Sequence, residues 1–139
     1  MNRYVKGAHG ERELLHRFHD LGYSVIRSAG SGVNSISPDI VVMKGGKGFS
    51  FECKAWDSST ISIEHDKYES LRSWEENTKM PTFMAWRMSK IGWFFIRLPE
   101  MHKNGKSWSV TKKRTIEIGR IFENLKLEQG LEPILARID

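Results

Sequence analysis

The chain has 139 residues, and 22 Lys and Arg against 17 Asp and Glu leave a formal charge of +5. This length suits one domain on one core, so 1–139 is expected to fold as a single unit, and 39% hydrophobic with 28% charged residues excludes a disordered chain. No apolar run nears the ~20 residues that cross a bilayer, the opening MNRYVKGAHGERE has no signal-peptide core, and the lone Cys53 excludes an internal disulfide framework and a multi-cysteine zinc site, so no membrane partner and a reducing, cytoplasmic setting are expected.

Residues 7–21 predict a helix, with Ala8, Leu14, Leu15, Phe18 and Leu21 at helical spacing and Gly22 as its stop. YSVIRS (23–28) reads as a strand, AGSGVNSISP (29–38) as a Gly/Ser loop, DIVVM (39–43) as a second strand and FSFECKAW (49–56) as a third. KGGK between the last two closes a hairpin. Residues 63–78 predict a helix with Tyr68, Leu71 and Trp74 inward, followed by strands at 82–88 and 92–98. Beyond these come a basic loop, a short strand at 108–110, a helix at 116–125 and a tail. The order αβββαββ is an α/β pattern with a mixed sheet.

Charge is unevenly placed. Residues 81–114 hold eight basic side chains and one acid, with Lys103, Lys106, Lys112, Lys113 and Arg114 in an acid-free run. This is either a solvated loop or a surface for phosphates.

Two geometric points single out four residues. Around a Gly45-Gly46 turn, Lys44 faces Lys47, Val41 faces Ser50 and Asp39 faces Glu52. Opposed residues share a face with Cβ atoms about 4.5–5.5 Å apart. Two carboxylates at that distance repel unless one is protonated or a cation lies between them. Lys54, two residues beyond Glu52, shares its face. In the first helix, at about 100° per residue, Glu11 falls between Phe18 and Leu15 in the apolar arc, whereas Glu13 falls on the solvent side. A carboxylate aimed at the core needs a partner, either an ion pair with an arginine or a metal.

This set suits phosphodiester hydrolysis. A hard divalent ion held by carboxylates polarises the phosphate and acidifies a bound water, and Lys54 can orient that water or offset developing charge. Arg12 and Arg27 are candidate phosphate clamps, the alternative being plain solvent exposure. Ser31 in the Gly/Ser loop can touch DNA or bond its own turn.

Pro38-Asp39 followed by Glu52-Cys53-Lys54 resembles the PD-(D/E)xK nuclease motif. KGAHGERELL (6–15), VIRSAGS (25–31), PDIVV (38–42), FECKAW (51–56) and PTFMAWRMSKIGWFFIRL (81–98) resemble the archaeal Holliday junction resolvases, in that order, over about residues 3–98. The resemblance implies a restriction-endonuclease-like mixed central β-sheet flanked by helices. It implies a homodimer that binds four-way DNA junctions and cuts two opposed strands with Mg2+, with Mn2+ as a substitute. Glu11, Asp39 and Glu52 match the family's acids and Lys54 its lysine. Arg12, Arg27 and Ser31 match positions near the scissile phosphate, and Lys6 a basic position facing DNA. Residues 99–139 inherit nothing from it. Two rival readings stay open: another endonuclease of the same superfamily, and a junction- or duplex-binding protein that does not cut. The intact acid set argues against the second.

Trp93-Phe94-Phe95 puts aromatic surface on both faces of the late hairpin. One face suits the core. The other is covered by a dimer partner, by the C-terminal helix, or by stacked bases. His16 and His19 lack a further ligand and read as surface histidines. Lys44-Gly45-Gly46-Lys47-Gly48 lacks P-loop spacing, and Cys53 points away from Glu52 and reads as a core thiol.

Overall fold

The computed structural model describes residues 3–28 and 36–125, with side chains from residue 9 onward. Helix α1 (Arg3–Asp20) leads into β1 (Ser24–Arg27), β2 (Ile40–Lys44) and β3 (Lys47–Lys54). Then come β4 (Thr60–Glu64), α2 (His65–Thr78), β5 (Thr82–Met88) and β6 (Gly92–Arg97). A single 3-10 turn at Leu98–Glu100 precedes β7 (His102–Asn104), β8 (Ser107–Thr111) and α3 (Lys112–Ile118). One sheet runs β1-β2-β3-β5-β6, and a smaller one runs β4-β8-β7. All neighbours are antiparallel except β3 and β5. A parallel pair needs a crossover, and β4 with α2 supplies it.

The β2–β3 register is the one the hairpin predicts: Lys44 opposes Lys47, Met43 opposes Gly48 and Val41 opposes Ser50. Gly45 and Gly46 both take positive φ, 60° and 78°. A two-residue turn of this hand matches the twist of the strands, and only residues without a Cβ adopt it cheaply.

Period-two alternation sends each large-sheet strand into two separate cores. Phe49, Phe51, Phe83, Ala85, Trp93 and Phe95 face α1, where they meet Leu14, Phe18 and Phe122. Met84, Trp86, Met88, Phe94 and Ile96 face the other way, onto Ile61, Ile63, Tyr68, Leu71 and Val110. Each such side chain contributes about 1.5–3 kcal/mol when fully buried. The second aromatic face is therefore covered by β4, α2 and β8 of the same chain. The C-terminal segment closes the first face instead, Phe122 and Leu125 packing with Trp93 and Phe95.

Three local expectations give way. The stretch before α2 is a strand: Ile61 and Ile63 point inward and pair with β8, and the helix starts only at His65. The basic loop is a hairpin, His102 opposing Ser109 and Asn104 opposing Ser107. Its Asn-Gly at Asn104-Gly105, with Gly105 at φ 66°, was the signal for it. The helix expected at 116–125 is split: α3 begins earlier, at Lys112, and stops at Ile118, and the chain is helical again over 122–125. Thr111 caps α3 by accepting the Arg114 amide at 3.0 Å, and Gly119 ends it in the left-handed region at φ 65°.

Candidate functional site

The candidate residues gather where β1 and β3 end and β2 begins. Asp39 stands just before Ile40, which opposes Phe51 at the end of the ladder, and lies near enough to Glu52 for its charge to act on that carboxyl. Asp39 Oδ2 accepts the Cys53 amide at 2.9 Å, which anchors the carboxylate to β3. Glu52 shares its face with Met84, its neighbour across the parallel pair, and is 7% exposed. Burial, then the nearby Asp39 charge, push its pKa up to about 8, against the opposing pull of Lys67 and Lys54. Glu52 Oε1 is buried without a hydrogen bond. A carboxylate that is buried, beside a second acid and under-bonded fits a site for a hard cation.

Lys54 follows on the same face and rests its Nζ 4.9 Å from the centre of the Trp56 ring, a cation–π contact that keeps the ammonium beside the carboxylates.

Glu11 arrives from the opposite face of the sheet. Gly10 eases this approach: a Cβ there would stand 3.3 Å from Ala55 Cβ and 3.6 Å from the Trp93 ring, a tight fit that would push α1 or Ala55 back slightly. Glu11 Oε2 accepts from Arg27 Nε at 2.7 Å, the arginine pair that helix geometry left open beside a metal. Burial and Asp39 raise its pKa while Arg27 opposes them. Asp39 is thus the carboxylate felt by both other acids. Among the described residues, no three His, Cys, Asp or Glu side chains converge on one point. Asp39, Glu52 and Lys54 are brought together; Glu11 is held one step away by Arg27.

Arg27 remains about a third exposed at the side chain, and Arg12 is exposed on α1 next to Glu11. Lys6 lies in α1, but its side chain falls outside the described ones, and Ser31 falls outside the described residues. Cys53 packs toward the α1 core as expected, its thiol pushed well up by burial and the surrounding acids. His16 and His19 are exposed. The sequence did not flag Lys67. From α2 its Nζ donates to the Ser37 carbonyl at 2.7 Å and lies 3.6 Å from Glu52 Oε1. No local pattern announces it, because α2 comes back to the site only through the crossover.

Comparison with known proteins follows the same lines. A family model described as archaeal Holliday junction resolvase (Hjc) matches residues 2–130, well past the residue 98 at which the quoted motifs stop. The crossover junction endodeoxyribonuclease Hjc of Sulfolobus acidocaldarius is 28% identical over 90% of this chain and 89% of its own length. Its counterpart in Methanocaldococcus jannaschii is 30% identical over 81% of this chain and 80% of its own. Among solved structures, Archaeoglobus fulgidus Hjc superposes with a TM-score of 0.70 at 22% identity, covering 84% of this chain and 98% of that one. A bacterial homing endonuclease shares the fold at a TM-score of 0.51 and 12% identity, covering 80% of this chain and 76% of that one. The chain is a member of the archaeal Holliday junction resolvase family.

Proposed function

We propose that the chain is a metal-dependent, structure-selective endonuclease that resolves four-way DNA junctions by paired symmetric incision as a homodimer. One observation carries the reading: the buried Glu52, with an unbonded oxygen, lies beside Asp39 where β2 begins, with Lys54 two residues on. Asp39, Glu52 and Glu11 would hold Mg2+, or Mn2+ in its place, because their donors are all hard oxygens. Such an ion, when bound, polarises a phosphate and acidifies a water.

The chain's own groups do the rest. Lys54 holds the attacking water or offsets charge as it develops on the phosphate. Arg27 fixes Glu11 and keeps guanidinium edge free for a phosphate, a role shared with Arg12, Lys6 and Ser31 along the strand. Two copies about a two-fold axis present two such sites to opposed strands of a junction. Residues 1–139 serve as one nuclease domain acting on DNA inside the cell, with Met101, Trp108 and Val110 helping to close the second core.

The test sets a mobile four-way junction, a fork and a linear duplex against the protein with Mg2+ or EDTA, beside Glu52→Ala. Paired symmetric nicks confined to the junction are expected, lost in EDTA. Glu52→Ala is expected to cut at least about a hundredfold more slowly, the upper range seen even for groups that only support a ligand. A linear duplex cut equally well would favour another nuclease of the superfamily, and junction binding without cutting would favour a non-cleaving protein.

A further inference from the structure

Lys67 is a half-buried cation on a helix that bears none of the recognised motif residues. Its side chain is 14% exposed, and a lysine withdrawn from water this far needs acceptors to offset lost hydration. It finds them on two different elements. One is the Ser37 carbonyl, at 2.7 Å. The other is the Glu52 carboxyl group near the end of β3, whose Oε1 lies 3.6 Å from Nζ. Ser37 lies two residues before Asp39, and the residue between them is the buried Pro38, whose ring locks its φ. An anchor at Ser37 is therefore passed to Asp39 through a stiff link. Asp39 is itself bound to β3 through the Cys53 amide. Two ties thus converge on one carboxylate, one from β3 and one from α2.

We infer that Lys67 is a positioning residue of this site: from α2 it straps the chain entering β2 to the end of β3, so that Asp39 and Glu52 stand together before a cation arrives. The inference rests on the nuclease reading and adds to it a residue outside the motif. The strap has a consequence for folding order as well. The carboxylate pair is complete only once α2 has docked on the large sheet, so the site forms with the second core rather than with the β2–β3 hairpin alone.

The experiment compares Lys67→Met, which keeps length and drops the donor, with Lys67→Arg, which keeps a donor and a charge. Glu69→Ala, on an exposed position of the same helix, is the control. Three readings are taken: Mn2+ affinity by calorimetry without DNA, junction affinity in EDTA, and single-turnover cleavage at saturating Mg2+. Lys67→Met is expected to weaken Mn2+ binding and slow cleavage by about tenfold or more, with junction affinity held within about twofold. Lys67→Arg is expected to recover most of both losses, and Glu69→Ala to match the unaltered chain. Mn2+ affinity and rate within about twofold of the unaltered chain in Lys67→Met would overturn the strap. So would a loss of junction binding in step with cleavage that arginine does not rescue, since that marks general misfolding. An unaltered chain that neither binds Mn2+ nor cuts would overturn the nuclease reading first, and the strap with it.

Discussion

The two ends of the five-stranded sheet are built on opposite principles. At β5 and β6 the inward positions on both faces are apolar apart from the buried Thr82, and both faces are roofed by the same chain. Where β2 begins and β3 ends, the sheet instead sets Asp39 against Glu52, leaves a buried oxygen unbonded and brings in Glu11 from behind. One hydrogen-bonded ladder therefore spans a region shaped for stability and a region that spends it. The difference is informative because β3 and β5 are direct neighbours: Glu52 and Met84 are paired across the parallel ladder. A site that must hold charge for a ligand cannot also be well packed, and the apolar half of the sheet keeps the charged half in place.

The largest expected effect is on the apolar side. Phe95 is 1% exposed and its ring lies 5.5 Å from Phe51. Phe95→Ala is expected to cost about 3–5 kcal/mol by urea denaturation, with junction cleavage per folded molecule unchanged. A loss under about 1 kcal/mol would break the contrast.

The charged side should behave the other way round. Glu52 keeps its proton in the folded chain up to about pH 8, against an ordinary 4.5. Between those values the unfolded chain has released the proton and the folded chain has not, so the unfolded state gains as pH rises. In EDTA the unaltered protein should therefore lose stability from pH 4.5 to 8, by an amount on the order of a few kcal/mol. Glu52→Gln should show no such slope, be the more stable of the two at pH 8, and fail to cut. Denaturant midpoints at both ends of the window check the sign; a stability that rises with pH in the unaltered protein would contradict a Glu52 whose burial outweighs its lysine neighbours.

The smallest effect sharpens the comparison by its size. Glu13, on the solvent side of α1, pairs with Arg87 at 2.6 Å with both side chains well exposed. Arg87→Ala should cost less than about 1 kcal/mol, and less again in high salt. A larger loss would mean that an exposed pair stabilises the sheet as strongly as the core does.

The sequence was most legible where structure is local. The Gly45-Gly46 turn and the alternation on either side of it were enough to set the β2–β3 register, and with it the approach of Asp39 to the end of β3, where it accepts the Cys53 amide. Helical periodicity put Glu11 on the inner face of α1, and the structure adds which of its two open partners it takes, Arg27. Illegible were β4 and the roof over Phe94. Ile61 and Ile63 are too few to declare a strand, and their partner β8 lies more than forty residues away. The Asn104-Gly105 pair carries a hairpin signal, but the lysines around it also suit a solvated loop.

Residue order alone thus determined the hairpin, the acidic pair and its companion lysine, because a tight turn and a two-residue period act over a few bonds. Tertiary structure decided three things: that both aromatic faces are closed within one chain, that Glu11 comes to the site from behind the sheet against Arg27, and that Lys67 reaches back to Ser37 and Glu52. Each depends on elements far apart in the chain, whose approach follows from burying the most apolar surface as a whole, and no local pattern carries that information.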